Sequence, residues 1–430
     1  MTNQRLAEPK NLLATKALSH RMNIKSYISV TLSYWVFMLT DGALRMLVLL
    51  HFHKLGFTPD KLAFLFVLYE VAGIITNLLG GWMGSRFGLK STLFTGLGLQ
   101  IIALLGLTLF QESWAITAIT LSVIFVMAVQ ALSGIAKDLT KMSSKSSVKL
   151  LVNEDNESGL FKLVAILTGS KNAIKGIGFF LGAFLLATIG FDPSLYILAG
   201  LITLTLITSL LTIRGDFGKM KTKVKFSQLF SKSSAINRLS FARACLFASR
   251  DVWFVVGLPI FLHDQLGWSF SEVGAFMATW IIGYGIVQAS APRISGAKAG
   301  LKQAVTSLKI WAFLLVSICS ALTAAIHWNF HPTTSLLIGL GIFGFIFAVN
   351  SSIHSYLILA YTKSEEVALN VGFYYMANAC GRLIGTLTSG IAYLYGGLTT
   401  CLITSTILAL AAAVGNLTLP NKSTNQDMTI

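Results

Sequence analysis

Long apolar windows, separated by short polar breaks, fill most of this chain. A helix of about 20 apolar residues crosses the ~30 Å hydrocarbon core of a bilayer. On that measure the pattern predicts twelve spans, near 27–52, 61–83, 91–111, 114–136, 160–189, 193–213, 239–263, 270–292, 304–327, 334–360, 366–391 and 396–417. The predicted fold class is an all-α polytopic membrane protein. Its layout is a tail (1–26), a six-helix bundle (27–213), a linker (214–238), a second six-helix bundle (239–417) and a second tail (418–430).

Composition agrees with the pattern. Of 430 residues, 54% are hydrophobic and 12% charged, against about 25% charged in ordinary soluble domains, and the mean hydropathy is +0.71. The first 26 residues carry Arg5, Lys10, Lys16, Arg21 and Lys25 but no short apolar core with a small-residue cleavage site. The first span is therefore expected to stay in the mature chain. Cys245, Cys319, Cys380 and Cys401 lie singly within apolar stretches, so neither a disulfide framework nor a metal site is expected.

The net charge of +16 changes the picture through its distribution. Lys and Arg collect in the first tail, at Arg86 and Lys90, from Lys137 to Lys162, and in the linker RGDFGKMKTKVKFSQLFSKSSAINR. The other side of the predicted topology shows Lys54 and Lys61. That asymmetry places both termini in the cytoplasm and accounts for most of the charge without nucleic acid. The series Lys137, Lys141, Lys145 and Lys149 reads either as an anchoring face at the lipid surface or as a funnel for anions.

The two bundles repeat. KLGFTPDKLAFLF (54–66) aligns with QLGWSFSEVGAFM (265–277), Asp41 with Asp251, and Lys175 with Arg382. Each member of the last pair precedes a glycine by three residues, Gly178 and Gly385. Internal repetition of six-helix units predicts a site at their interface near the bilayer midplane. GWMGSRFGLK (81–90) resembles the loop signature of the major facilitator superfamily, with Gly81, Arg86, Gly88 and Lys90 in place and Ser85 where an aspartate is usual.

Charges inside spans are costly, at least ~2.5–3.5 kcal/mol each on insertion scales, and usually face a cavity or one another. Asp41 and Arg45 are spaced to pair on one helix face or to contact substrate. Glu70 reads as a proton carrier or an interhelical counter-ion. Arg250 and Asp251, sequence neighbours about 100° apart on a helix, are expected to pair with other helices. Thr168, Lys171, Lys175, Gly178 and Gly182 form one polar and small stripe, so the two lysines call for acidic neighbours or an anionic ligand. Arg382 answers them from the other bundle. NSSIHS (350–355), with His354, suits a hydroxylated or phosphorylated ligand or acts as interhelical glue.

Five segments carry a more specific likeness: TDGALRMLVLLHFHKLGF (40–57), ALSGIAKDLTKMSSKSSVKLLV (131–152), AILTGSKNAIKGIGFFLG (165–182), SRDVWFVVGLPIFL (249–262) and GWSFSEVG with IGYGIVQASAP. Together they resemble the ArsJ-type organoarsenical efflux permeases across about residues 27 to 417. The resemblance implies export of 1-arseno-3-phosphoglycerate from the bacterial cytoplasm, with glyceraldehyde-3-phosphate dehydrogenase as the functional partner that makes it. The candidate site rests on spacing rather than on that family: Lys171, Lys175, Arg382, Arg45, Arg250 and His354 for substrate, and Asp41, Glu70 and Asp251 for proton coupling or ion pairing. No cofactor is expected and a monomer suffices. Another organophosphate, or drug/proton antiport, is the alternative substrate reading; a membrane enzyme is disfavoured, for no nucleophile–base pattern appears.

Overall fold

The computed structural model describes residues 8–87, 89–149, 157–213, 233–295, 301–362 and 367–420. Within these ranges the side chains of 8–25, 27, 80–87, 89, 142, 145–149, 157–169, 292, 359 and 367–369 lie outside the description. Several sequence readings fall there: Gly81, Arg86 and Gly88 of the loop motif, Thr168, the ends of the lysine series, and most of the linker.

The described residues form helices joined by short turns, with no strand among them. The first half runs α1 (Glu8–Lys54), α2 (Pro59–Phe64), α3 (Val67–Phe87), α4 (Leu89–Leu107), α5 (Trp114–Thr117), α6 (Ile119–Lys149), α7 (Glu157–Ile189) and α8 (Phe191–Thr212). The second runs α9 (Ser234–Phe254), α10 (Gly257–Ile260), a π-turn at Phe261–Gln265, α11 (Phe270–Ile294), α12 (Leu301–His327), α13 (Pro332–Ala360) and α14 (Val367–Leu417). Among the described residues eleven stretches are long and apolar enough to cross a membrane, the last being Asn370–Leu417. That last stretch is two spans in one, because Gly396 and Gly397 leave helical geometry inside α14. The predicted spans 366–391 and 396–417 thus emerge on either side of the break, and the twelve-span fold holds.

Large apolar side chains such as Ile102, Leu204, Ile310 and Ile407 stand exposed on α4, α8, α12 and α14. An outward apolar belt of that kind suits lipid rather than water. Inward, the halves meet where α7 packs on α11 and where α14 packs on α2 and α3.

The internal repeat is visible in the turns. Gly56 (φ 86°), after α1, and Gly267 (φ 71°), after the π-turn, both take left-handed conformations, which glycine adopts at no steric cost. Thr58 and Ser269 then precede the next helices, and Ser269 closes a capping box with Glu272. The repeated Leu-Gly-aromatic-Thr/Ser therefore encodes the same reversal twice. At this end of the molecule the halves touch directly: His53 Nε2 lies 2.9 Å from Asp264 Oδ1, residues that align in the repeat.

Candidate functional site

The charged centre begins with two pseudo-equivalent helix crossings, α7 over α1 and α14 over α9. A Cβ on Gly178 would strike the Leu39 carbonyl of α1, and one on Gly385 would meet Asp251 and Ala248 of α9 at 2.7 and 2.9 Å. Close approach at these glycines brings the neighbouring charges together. Lys175 Nζ donates to Asp41 Oδ2 at 2.9 Å, and Arg382 Nε lies 3.6 Å from Asp251 Oδ2. Tyr69 completes the first pair, its hydroxyl donating to Asp41 Oδ1 at 2.5 Å.

A chain of ion pairs then crosses between the halves. Glu70 Oε1 of α3 accepts from Arg382 Nη2 at 2.5 Å and from Arg45 Nη2 at 3.1 Å. Asp251 Oδ1 accepts from Arg250 Nε at 2.6 Å. The order Arg45–Glu70–Arg382–Asp251–Arg250 links α1 and α3 to α14 and α9. Two expectations change here. Asp41 and Arg45 do not pair with each other, because the helix crossings offer Asp41 a lysine and Arg45 a fully buried carboxylate. Arg250 pairs with its own neighbour Asp251 rather than with another helix. Its guanidinium lies over the rings of Phe247 at 4.8 Å and Phe347 at 5.4 Å, which turns it back toward that carboxylate. Glu70 is an interhelical counter-ion, to two arginines rather than to a lysine.

Of the two readings of the lysine series on α6, the lipid-surface one does not hold for Lys137. Lys137 and Asp138 are buried and lie between the helices, not at a lipid surface. Asp138 accepts from Thr76 Oγ1 at 2.7 Å and from Lys141 Nζ at 3.0 Å, and Lys141 also donates to Asn77 Oδ1 at 2.7 Å. The reason is helical phase. Gln130, Ser133, Lys137, Thr140 and Ser144 are all buried, a polar stripe that carries the first lysines inward as α6 continues past its apolar part. Sequence reading missed Asp138, although this stripe was there to find it.

Arg243 was likewise missed. It sits two turns before Arg250 on α9, on the same face, and is 5% exposed. Its Nε donates to Asn378 Oδ1 and its Nη1 to Ser351 O and Oγ, each at 3.0 Å. His354, by contrast, is fully buried and outside the cavity lining. Of NSSIHS, Ser355 reaches the cavity and Ser351 supports Arg243, so the helix turns the imidazole away from any ligand there. Lys90 is not in the cavity lining: it sits in the first turn of α4, its ammonium 5.7 Å from the Phe94 ring centroid.

The charged groups of this centre surround one cavity of about 200 Å³ between the halves, with His354 and Lys90 outside its lining. Phe179, Phe254 and Ile281 line its apolar part, and Asn77, Asn378 and Gln288 add amides. The first half contributes the cations Arg45, Lys137, Lys141, Lys171 and Lys175, and the second Arg243, Arg250 and Arg382. Against these eight stand four carboxylates, Glu70, Asp138 and Asp251 in the lining and Asp41 behind Lys175. Eight minus four leaves a formal surplus of four positive charges among the described residues. Sequence reading counted five cations and three acids.

Comparison with known proteins agrees with this geometry. A bacterial homologue of the iron transporter ferroportin, crystallised in its inward-facing state, superposes with a TM-score of 0.66 over 92% of this chain and 98% of that one. The two are 14% identical, so the likeness is one of fold. No curated protein sequence matches. The sequence model of the Major Facilitator Superfamily matches residues 30–307, well over half the chain. With twelve spans, a repeated half and a charged cavity between the halves, the chain belongs to the major facilitator superfamily of membrane transporters.

Proposed function

We propose that this transporter exports a small, multiply anionic organic molecule by alternating access, and that the molecule is 1-arseno-3-phosphoglycerate. The surplus of four positive charges around a 200 Å³ cavity carries the reading. Unbalanced charge at membrane depth is costly, and a bound polyanion would offset it. Phosphate, arsenate and hydroxyl groups match the arginines, lysines and amides of the lining. The arsenical identity comes from resemblance to the ArsJ-type permeases, as does its supply by glyceraldehyde-3-phosphate dehydrogenase. The same resemblance and the basic segments support a bacterial inner-membrane location with both termini in the cytoplasm.

A metal-cation cargo, such as the iron carried by ferroportin, fits poorly. The four carboxylates of the centre are each held by lysine or arginine, and the net field repels cations. The same field disfavours cationic drugs. Asp41 and Glu70 are committed to cations, so we assign them as counter-ions and expect no proton antiport.

Everted membrane vesicles test this. With arsenate, glyceraldehyde-3-phosphate, NAD and the dehydrogenase outside, they should accumulate arsenic above vesicles lacking the protein. A protonophore should leave that accumulation unchanged. Equal arsenic in both preparations overturns the proposed substrate.

A further inference from the structure

The cations of the cavity fall into two groups. Arg45, Arg250, Arg382, Lys175 and Lys141 each contact a carboxylate. Two others do not. Lys137, 7% exposed, has no hydrogen-bond or ion-pair partner among the described residues; its ammonium rests 4.0 Å from the Tyr69 ring centroid. Arg243, 5% exposed, spends Nε and Nη1 on neutral acceptors and leaves Nη2 without a described partner. Aromatic rings back both cations, Phe247 and Tyr374 lying 4.1 and 5.1 Å from the Arg243 guanidinium carbon. Both line the same cavity, Lys137 from the first half and Arg243 from the second.

From this we infer that Lys137 and Arg243 are the two anchors of the substrate site, each holding one anionic end of a molecule with oxyanions at both ends. The inference rests on the anionic-substrate reading above and deepens it. A buried cation with no carboxylate in direct contact is unfavourable, and a ligand oxyanion supplies the contact each lacks. Rings and neutral acceptors fix the guanidinium without quenching its charge, which leaves a preoriented donor edge for phosphate, arsenate or carboxylate. The carboxylate-paired cations form the frame around these anchors. Because the anchors belong to opposite halves, a two-ended anion ties the halves together through both, and a one-ended anion does not.

Binding to the purified full-length protein in lipid nanodiscs, by isothermal titration calorimetry, tests the assignment. The probes are 3-phosphoglycerate, with an anion at each end, and glycerol 3-phosphate, with one. Wild-type protein should prefer 3-phosphoglycerate by about 10- to 100-fold, the range for one added charged hydrogen-bonding contact. Lys137→Gln and Arg243→Gln should each remove that preference while retaining glycerol 3-phosphate binding at the remaining anchor. Arg243→Lys, which keeps the charge, should retain part of it, and size-exclusion profiles identify any variant that fails to fold. An unchanged preference in well-folded Lys137→Gln and Arg243→Gln protein overturns this assignment alone. Absence of binding by wild-type protein to either probe overturns the anionic-substrate reading together with it.

Discussion

At the scale of single residues, the centre is governed by which carboxylate each cation reaches. Asp41 is nearly inaccessible and holds Lys175 at 2.9 Å. Removing one member of a buried pair strands the other, at a cost of up to roughly 3–5 kcal/mol, whereas replacing both can be neutral. Asp41→Asn should therefore lower the melting temperature of the detergent-solubilised protein, and Lys175→Met added to it should recover most of the loss. A double variant no more stable than Asp41→Asn means that the pair does not carry the stability. The sequence showed that these charges lie inside spans and that Lys175 and Arg382 correspond. It did not show their partners, because a partner depends on helix rotation and crossing distance. Asp41 and Arg45 have ideal spacing for a pair, yet the crossing with α7 and the burial of Glu70 separate them. Asp138 and Arg243 escaped notice for a related reason: each sits near a predicted span boundary, where a charge reads as solvent-facing.

Helices were the most legible elements, since a window of apolar residues fixes a span without knowledge of its neighbours. Their faces were less legible. α6 continues as helix to Lys149, and Lys137 and Lys141, for which a lipid-surface face was one of two readings, line the cavity instead. Glycine spacing did carry tertiary information. Gly178 follows Lys175 at one turn and seats α7 against the α1 backbone. Gly178→Val should reduce the yield of monodisperse protein in fluorescence-detected size exclusion, because backbone cannot yield as a side-chain tip can. Gly200→Val on α8 is the matched control, with no atom within 4 Å of its added Cβ, and should leave the yield unchanged. Equal yields for the two variants contradict the packing role of the α1–α7 crossing.

Across the whole molecule, the repeat places equivalent residues against one another at the end where α1 finishes. His53 and Asp264 meet there between the halves, while the polar cavity occupies the middle. Alternating access requires the halves to part at that end during the cycle. Cysteines at His53 and Asp264, in a background lacking the four native cysteines, should react with a short bis-maleimide and stop uptake, with the single-cysteine variants unaffected. Full transport by the cross-linked protein contradicts rocking of the halves. The central claim concerns the cargo itself, and stoichiometry tests it most directly. Everted vesicles supplied with radiophosphorus-labelled glyceraldehyde-3-phosphate, arsenate, NAD and the dehydrogenase should take up arsenic and labelled phosphorus together, one atom of each per molecule. Arsenic without phosphorus, phosphorus without arsenic, or neither above vesicles lacking the protein contradicts transport of an arsenylated phosphoglycerate.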